Sequence, residues 1–177
     1  MKLDEEQLVA QCRKNNQRAC RELYDRYASI MFSICVRYMG DHDAAQDVLH
    51  DGFVKIFASL GQLRSSDSLQ AWMTRIMVRE SLDALRKVKP AESFELIGDT
   101  GHADYADNAF ESILEGCDIE LLFKAIRELP EFSRIIFNLH EIEGYSYDEL
   151  AERFDIKAAS VRSVIFRARK LIAERLA

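Results

Sequence analysis

Hydrophobic residues recur at helical spacing along most of the chain. Across residues 4–15, Leu8, Val9 and Cys12 fall on one side. From Gln17 to Met39 the same period continues through Ala19, Leu23, Tyr27, Ile30 or Met31, Ile34 and Tyr38, and Gly40-Asp41 breaks it. Asp41 or Asp43 can cap a third helix reaching about Leu60, with Ala44, Val48, Phe53, Ile56, Phe57 and Leu60 facing inward. Ser68 can cap a fourth, from Leu69 to about Val88, which holds Trp72, Met73, Ile76 and Leu85. Lys89-Pro90 ends it, because the residue before a proline is pushed out of the helical region.

The pattern then changes. Residues 91–117 are acidic and weakly periodic, and they read as a linker with a transient helix near Phe110 to Leu114. Asp118 to Leu129 is helical again through Leu121, Leu122, Ala125, Ile126 and Leu129. Pro130 restarts the chain, since proline suits a helix's first turn. Phe132 to Ile142 follows, with Ile135, Ile136, Leu139 and Ile142 as its apolar positions.

The last stretch carries the clearest local signal. Ser146-Tyr147-Asp148-Glu149 has the form of a capping box, opening a short helix that buries Leu150 and Ala151. Phe154-Asp155-Ile156-Lys157 makes a tight turn, and a longer helix follows with Val161, Ile165, Ala168 and Ile172 on one apolar face. Its other face carries Arg162, Ser163, Phe166, Arg167 and Lys170. Short helix, turn and basic helix make a helix-turn-helix pattern, whose second helix enters the major groove. Two readings fit this face: a solvated charge run, or a surface on which Phe166 meets a thymine methyl and Arg162 a guanine edge.

Composition fits this picture. Two prolines and seven glycines in 177 residues leave little room for turn-rich sheet. No apolar run approaches the roughly 20 residues that span a bilayer, and the acidic, amphipathic N-terminus is unlike a secretory signal. A cytoplasmic protein is expected. Cys12, Cys20, Cys35 and Cys117 lack ligand spacing and read as free thiols rather than a metal site. The histidines are scattered, no nucleotide-loop or hydrolase motif is present, and neither cofactor nor enzymatic activity is expected.

Charge adds more. The net charge is -6, which at first speaks against nucleic acid. The distribution reverses that reading: residues 61–90 sum to +3 and residues 153–177 to +5, while residues 91–131 sum to -9. Local field governs binding to phosphate, so the two basic segments outweigh the total. Arg75, Arg79 and Arg86 form a stripe on the fourth helix, interrupted by Leu82. Beside the polar loop Arg64-Ser65-Ser66, that stripe suits single-stranded bases as well as it suits plain solvation. The third helix carries Asp43, Asp47 and Asp51 one turn apart, a mutually repelling row. Two readings fit the row: favourable acids at a helix N-terminus, which covers Asp43 and at most Asp47 but not Asp51, or a surface for a basic partner.

Taken together, these features resemble the extracytoplasmic-function (group 4) class of bacterial sigma-70 factors over nearly the whole chain. DHDAAQDVLHDGFVKIF (Asp41–Phe57) looks like the polymerase-binding part of sigma region 2, and SLQAWMTRIMVRESLDALRK (Ser68–Lys87) like its −10 part. Leu122–Ile172 looks like region 4, through LP-x3-R, EGYSYDELA and SVRSVIFRAR in that order. The resemblance implies an all-α fold of two small helical domains: region 2 over residues 1–90 and region 4 over residues 118–177, joined by a flexible acidic linker over residues 91–117. It implies docking of Asp47, His50 and Asp51 on the β′ clamp helices of core RNA polymerase, and of the C-terminal domain on the β flap. Lys157, Ser160, Arg162, Ser163, Phe166, Arg167 and Lys170 would read the −35 element as duplex. Arg64, Ser65, Ser66, Arg75, Arg79, Arg86 and Lys87 would hold melted −10 bases, whose unstacking costs a few kcal/mol. An anti-sigma factor is an expected partner; metal and membrane insertion are not.

Four positions depart from the family pattern. His50 stands for the usual Gln, and Arg79 for a common Asn. Lys157 replaces a Ser cap, a loss on the order of 1 kcal/mol of helix stability. Val164 replaces a frequent Arg and is expected to remove a phosphate contact. Two other classes compete with the sigma reading: a dimeric regulator of palindromic sites, for which no dimer helix is evident, and an interaction module whose basic faces are only solvated.

Overall fold

The computed structural model describes residues 3–64, 69–85, 110 and 117–176. Those residues are helical or irregular, with no strand among them. They fall into two compact units, Met1–Arg86 and Lys87–Ala177. Ser65, Ser66, Ser68, Arg86, Lys87 and most of the 91–117 segment lie outside the described residues.

The first unit is four helices: α1 (Glu5–Arg13), α2 (Gln17–Met39), α3 (His42–Ser59) and α4 (Leu69–Ala84). Short polar side chains start three of them. Asp4 accepts from the Gln7 amide, Asn16 from Arg18 and Ala19, and Asp41 from Ala44, each satisfying amides that the helix cannot pair internally. Gly40, at φ 74°, ends α2 in the left-handed conformation that glycine adopts without strain. Leu8, Leu23, Met31, Tyr38, Ile56, Leu69, Met73 and Met77 are fully buried between the helices. The expected inward positions Val48, Phe53, Ile56 and Leu60 are buried, Ala45 and Leu49 widen the stripe, and Ala44 and Phe57 are half-buried. Helices α3 and α4 approach closely at Gly52, where a Cβ would overlap the Met77 thioether. Lys55 of α3 also pairs with the buried carboxylate of Glu80 on α4. These contacts set the exposed faces of α3 and α4 relative to each other.

The second unit comprises α5 (Ile119–Arg127), α6 (Glu131–Phe137), a π turn (Asn138–Ile142), α7 (Tyr147–Phe154) and α8 (Ala158–Leu176). Asp118 caps α5 through the Glu120 amide. Arg134, buried on α6, donates to the carbonyls of Arg127 (3.1 Å) and Leu129 (2.9 Å), so it seals the end of α5 across Pro130. Burial holds its guanidinium below the usual arginine range. Ile142, expected inside, is 42% exposed. The π turn is the reason: the Glu143 amide bonds five residues back to Asn138, and the extra residue rotates the apolar stripe outward. Leu121 and Ile30 also face solvent, each one position off its buried stripe.

Phe110 packs with Ala125, Ile126, Leu129, Phe137, Ala168 and Ile172 in the core of the second unit. Its ring stands edge-on to Phe137 and lies 5.6 Å from the Arg169 guanidinium carbon. A residue from the segment expected to be linker is therefore core. Replacing Phe110 with Ala should destabilise the second unit by about 3 kcal/mol. The readout is faster amide exchange in α5 and α8 of the full chain; unchanged exchange there would remove residue 110 from that core.

Candidate nucleic-acid interface

Helices α7 and α8 and the turn between them form the helix-turn-helix. The capping box is complete: the Ser146 amide donates to Glu149 Oε2 (2.8 Å), and the Glu149 amide donates to Ser146 Oγ (3.2 Å). These hydrogen bonds hold the Glu149 carboxyl below its usual range. Asp155 closes α7 at φ 54°, and the Ile156 amide bonds back to the Ala151 carbonyl. Phe154 meets Phe132 edge-on at 5.6 Å, which ties the turn to α6. Leu150, Val161, Ile165, Ala168 and Ile172 are buried, so α8 shows its other side.

On that side Arg162 and Lys170 are exposed, while Ser163, Phe166 and Arg167 are half-buried. Lys157 is exposed at the N-cap of α8, and its carbonyl accepts from the Ser160 and Val161 amides. Its side chain has no acceptor to offer the first-turn amides. Ser160 is half-buried. The Ser163 hydroxyl donates to Ala159 O and Arg167 Nε to Ser163 O, so both are oriented by their own helix. Arg162 has a support that periodicity did not reveal. Its guanidinium carbon lies 5.2 Å from the Tyr147 ring centroid. Tyr147 stacks on His140 at 4.5 Å, and His140 Nδ1 sits 2.7 Å from the Tyr145 carbonyl. The sequence signal was present: Tyr147 opens the capping-box helix, where its ring reaches the start of α8.

Val164 corrects one expectation. It is fully buried beside Val161 and Ala168. Its position faces the core, so its being Val removes no phosphate contact.

In the first unit Arg64, Arg75 and Arg79 are exposed; Arg75 and Arg79 lie one turn apart, opposite the buried Met73 and Met77. Ser65, Ser66, Arg86 and Lys87, expected to complete this surface, lie outside the described residues. Asp47, His50 and Asp51 are all exposed on one side of α3. Val54, 55% exposed one turn further on, extends that stripe with an apolar contact the charge pattern missed. Among the described residues no cluster of His, Cys, Asp and Glu could hold a metal ion, and no helix is long and apolar enough to cross a membrane.

The sequence matches two family descriptions, Sigma-70 region 2 over residues 23–90 and Sigma-70, region 4 over residues 119–172. It is 29% identical to the RNA polymerase sigma-H factor of Pseudomonas aeruginosa, over 97% of this chain and 93% of that protein. It is 30% identical to the ECF RNA polymerase sigma-E factor of Escherichia coli K12, over 96% and 93% respectively. Among solved structures it aligns with CnrH, determined in complex with the cytosolic domain of CnrY, at a TM-score of 0.46 and 24% identity over 94% of this chain and 93% of that one.

The chain belongs to the sigma-70 family. Within it, the chain is a factor of the extracytoplasmic-function class and directs promoter-specific initiation by RNA polymerase.

Ser146→Ala should cost about 1 kcal/mol through loss of the cap. The pH dependence follows from Glu149. Its folded pKa is lowered, so its contribution is present above the usual value of 4.5 and is lost as pH falls through the lowered one. In thermal denaturation from neutral to acid pH, the gap between wild type and Ser146→Ala should narrow below the usual glutamate range; a constant gap would show that Glu149 is not coupled to the cap.

Proposed function

We propose a division of labour among named residues. Region 2 spans residues 1–90, a linker spans residues 91–117, and region 4 spans residues 118–177. Lys157, Ser160, Arg162, Ser163, Phe166, Arg167 and Lys170 read the −35 element. Arg64, Ser65, Ser66, Arg75, Arg79, Arg86 and Lys87 hold melted −10 bases. Asp47, His50 and Asp51, with Val54, dock on the β′ clamp helices, and region 4 sits on the β flap. The protein works in the cytoplasm, without covalent chemistry of its own, and an anti-sigma factor is its further expected partner.

The observation that carries this reading is Arg162. It is exposed on the second helix of a helix-turn-helix and steadied over an aromatic ring, as a base-reading side chain requires. On the polymerase side, two carboxylates and a valine on one face of α3 suit a basic partner with an apolar centre.

Run-off transcription with sigma-free core polymerase on a pool of promoter fragments tests it. Arg162→Ala with Phe166→Ala should lower initiation from the preferred −35 sequences about tenfold or more while sparing altered ones, since each base contact discriminates by roughly 1–3 kcal/mol. Equal loss on all templates would deny these residues a reading role. Asp47→Asn with Asp51→Asn should weaken assembly with core polymerase, measured by co-elution, while the promoter preference of any holoenzyme that forms stays unchanged. Undiminished assembly would take the docking role from that face.

A further inference from the structure

Charge in the first unit is concentrated at the α1–α2 corner. Between Glu6 and Glu22 the chain carries Arg13, Lys14, Arg18 and Arg21 and no acidic residue. Arg13 is used internally. Its Nε donates to the Leu60 carbonyl at 3.1 Å, and its Nη2 donates to the Leu63 carbonyl. Further along, Arg26 is also used internally, pairing with Glu22 and donating to the Leu3 carbonyl. Lys14, Arg18 and Arg21 differ: all three are exposed, and none forms an ion pair among the described residues. Asp25, one turn past Arg21, bounds the patch.

The corner is held in place. Asn15 at φ 57° and the Asn16 cap fix the turn, and the Cys20 amide donates to the Asn16 carbonyl. The Cys12 and Cys20 thiols face each other beneath it; burial and that contact push the Cys12 thiol up to about 12. The two hydrogen bonds of Arg13 then fasten this corner to the segment that leads into Arg64. Lys14 follows Arg13 in the chain and Arg64 follows Leu63, so Lys14 and Arg64 flank a single junction. Glu22 and Asp25 line the same concavity as Arg18 and Arg21, with Arg26 already held by Glu22, so the corner keeps a surplus of positive charge centred on Lys14, Arg18 and Arg21, which favours a polyanion. A phosphodiester backbone supplies regularly spaced negative charge, and releases counterions when bound.

We propose that Lys14, Arg18 and Arg21 form a further phosphate-binding surface, which takes the backbone of the promoter strand adjoining the bases held beside Arg64. The proposal rests on the −10 assignment above and extends it around the corner of the helical hairpin. A flexible strand held only by its bases would swing; phosphate contacts next to the base pocket would fix its path.

The test uses holoenzyme assembled from the full chain and core polymerase, on a promoter template whose −10 segment is already unpaired. Complex affinity is measured over a series of salt concentrations. Each phosphate contact to a single strand contributes about 0.7 to the slope of log affinity against log salt. The variant Lys14→Ala/Arg18→Ala/Arg21→Ala should therefore reduce that slope by about two, and Lys14→Arg/Arg18→Lys/Arg21→Lys should restore it. Arg64→Ala serves as the reference for the −10 reading. An unchanged slope in the triple alanine variant, with Arg64→Ala still weakening the complex, overturns the phosphate surface alone. If neither variant matters, the −10 assignment falls with it. Weaker assembly with core polymerase at an unchanged slope overturns the proposal in favour of a protein contact.

Discussion

The helix-turn-helix unit of the molecule depends on a buried guanidinium. Helix α5 ends with carbonyls that have no partner in their own helix, and Pro130 prevents the chain from continuing to supply one. Arg134 supplies it from the next helix, through Arg127 O and Leu129 O. Without it, each buried carbonyl would carry a desolvation cost of about 1–3 kcal/mol. The Asn138 amide group then bonds to the Arg134 carbonyl, which extends the arrangement into the π turn. Because α6 contacts the α7–α8 turn through Phe132 and Phe154, this bond set also bears on the pose of α8. The arginine of the LP-x3-R motif is thus a structural device, although it lies in a family signature.

Arginines divide by whether the fold has already used them. Arg169 lies in the basic C-terminal segment, yet it pairs with Glu141 at 2.8 Å and covers Phe110. Burial pushes Glu141 up and Arg169 down, so this pair is positioned for packing rather than for a phosphate. Arg175 pairs with Glu128, which caps the end of α5. Arg162 and Lys170 face outward on the same helix as these two. A count of charges in residues 153–177 therefore overstates the basic surface left exposed. The net charge of -6 likewise hides local surplus: within the first unit the exposed acids of α3 and the exposed arginines of α4 stand on different helices, and α8 carries its own basic residues in the second unit.

Much of this was legible in the sequence, and the failures share a cause. Helix α2 has the limits that its apolar period predicts, and the capping box has its expected hydrogen bonds, because both signals are local. Ile142 turned outward because a π turn adds a residue, which a fixed 3.6-residue period cannot anticipate. A family arginine at position 164 suggests a surface position, but the buried face of α8 is wide enough to include Val164 beside Val161 and Ala168. The acidity around Phe110 reads as linker, yet Phe110 itself packs in the core of the second unit, a contact that composition does not signal. The candidate site was legible as residue types. How those residues are held was not, since it depends on contacts between elements.

Under the −35 assignment proposed above, the support of Arg162 bears on how a small domain reads bases. A free arginine loses rotamer freedom when it engages a base, a cost of about 0.5–1.5 kcal/mol for a side chain of this kind. Stacking over Tyr147, itself stacked on His140, restricts the guanidinium before DNA arrives. A cation above an exposed ring gains about 0.5–1 kcal/mol, comparable to that cost and small enough for the side chain to adjust when a base edge comes within reach. A stronger internal partner, such as the carboxylate that holds Arg169, would compete with the base. A weaker one would leave the full ordering cost to be met on binding. An aromatic partner lies between these limits: it orients the charge and leaves the guanidinium N–H groups in its plane to bond the base.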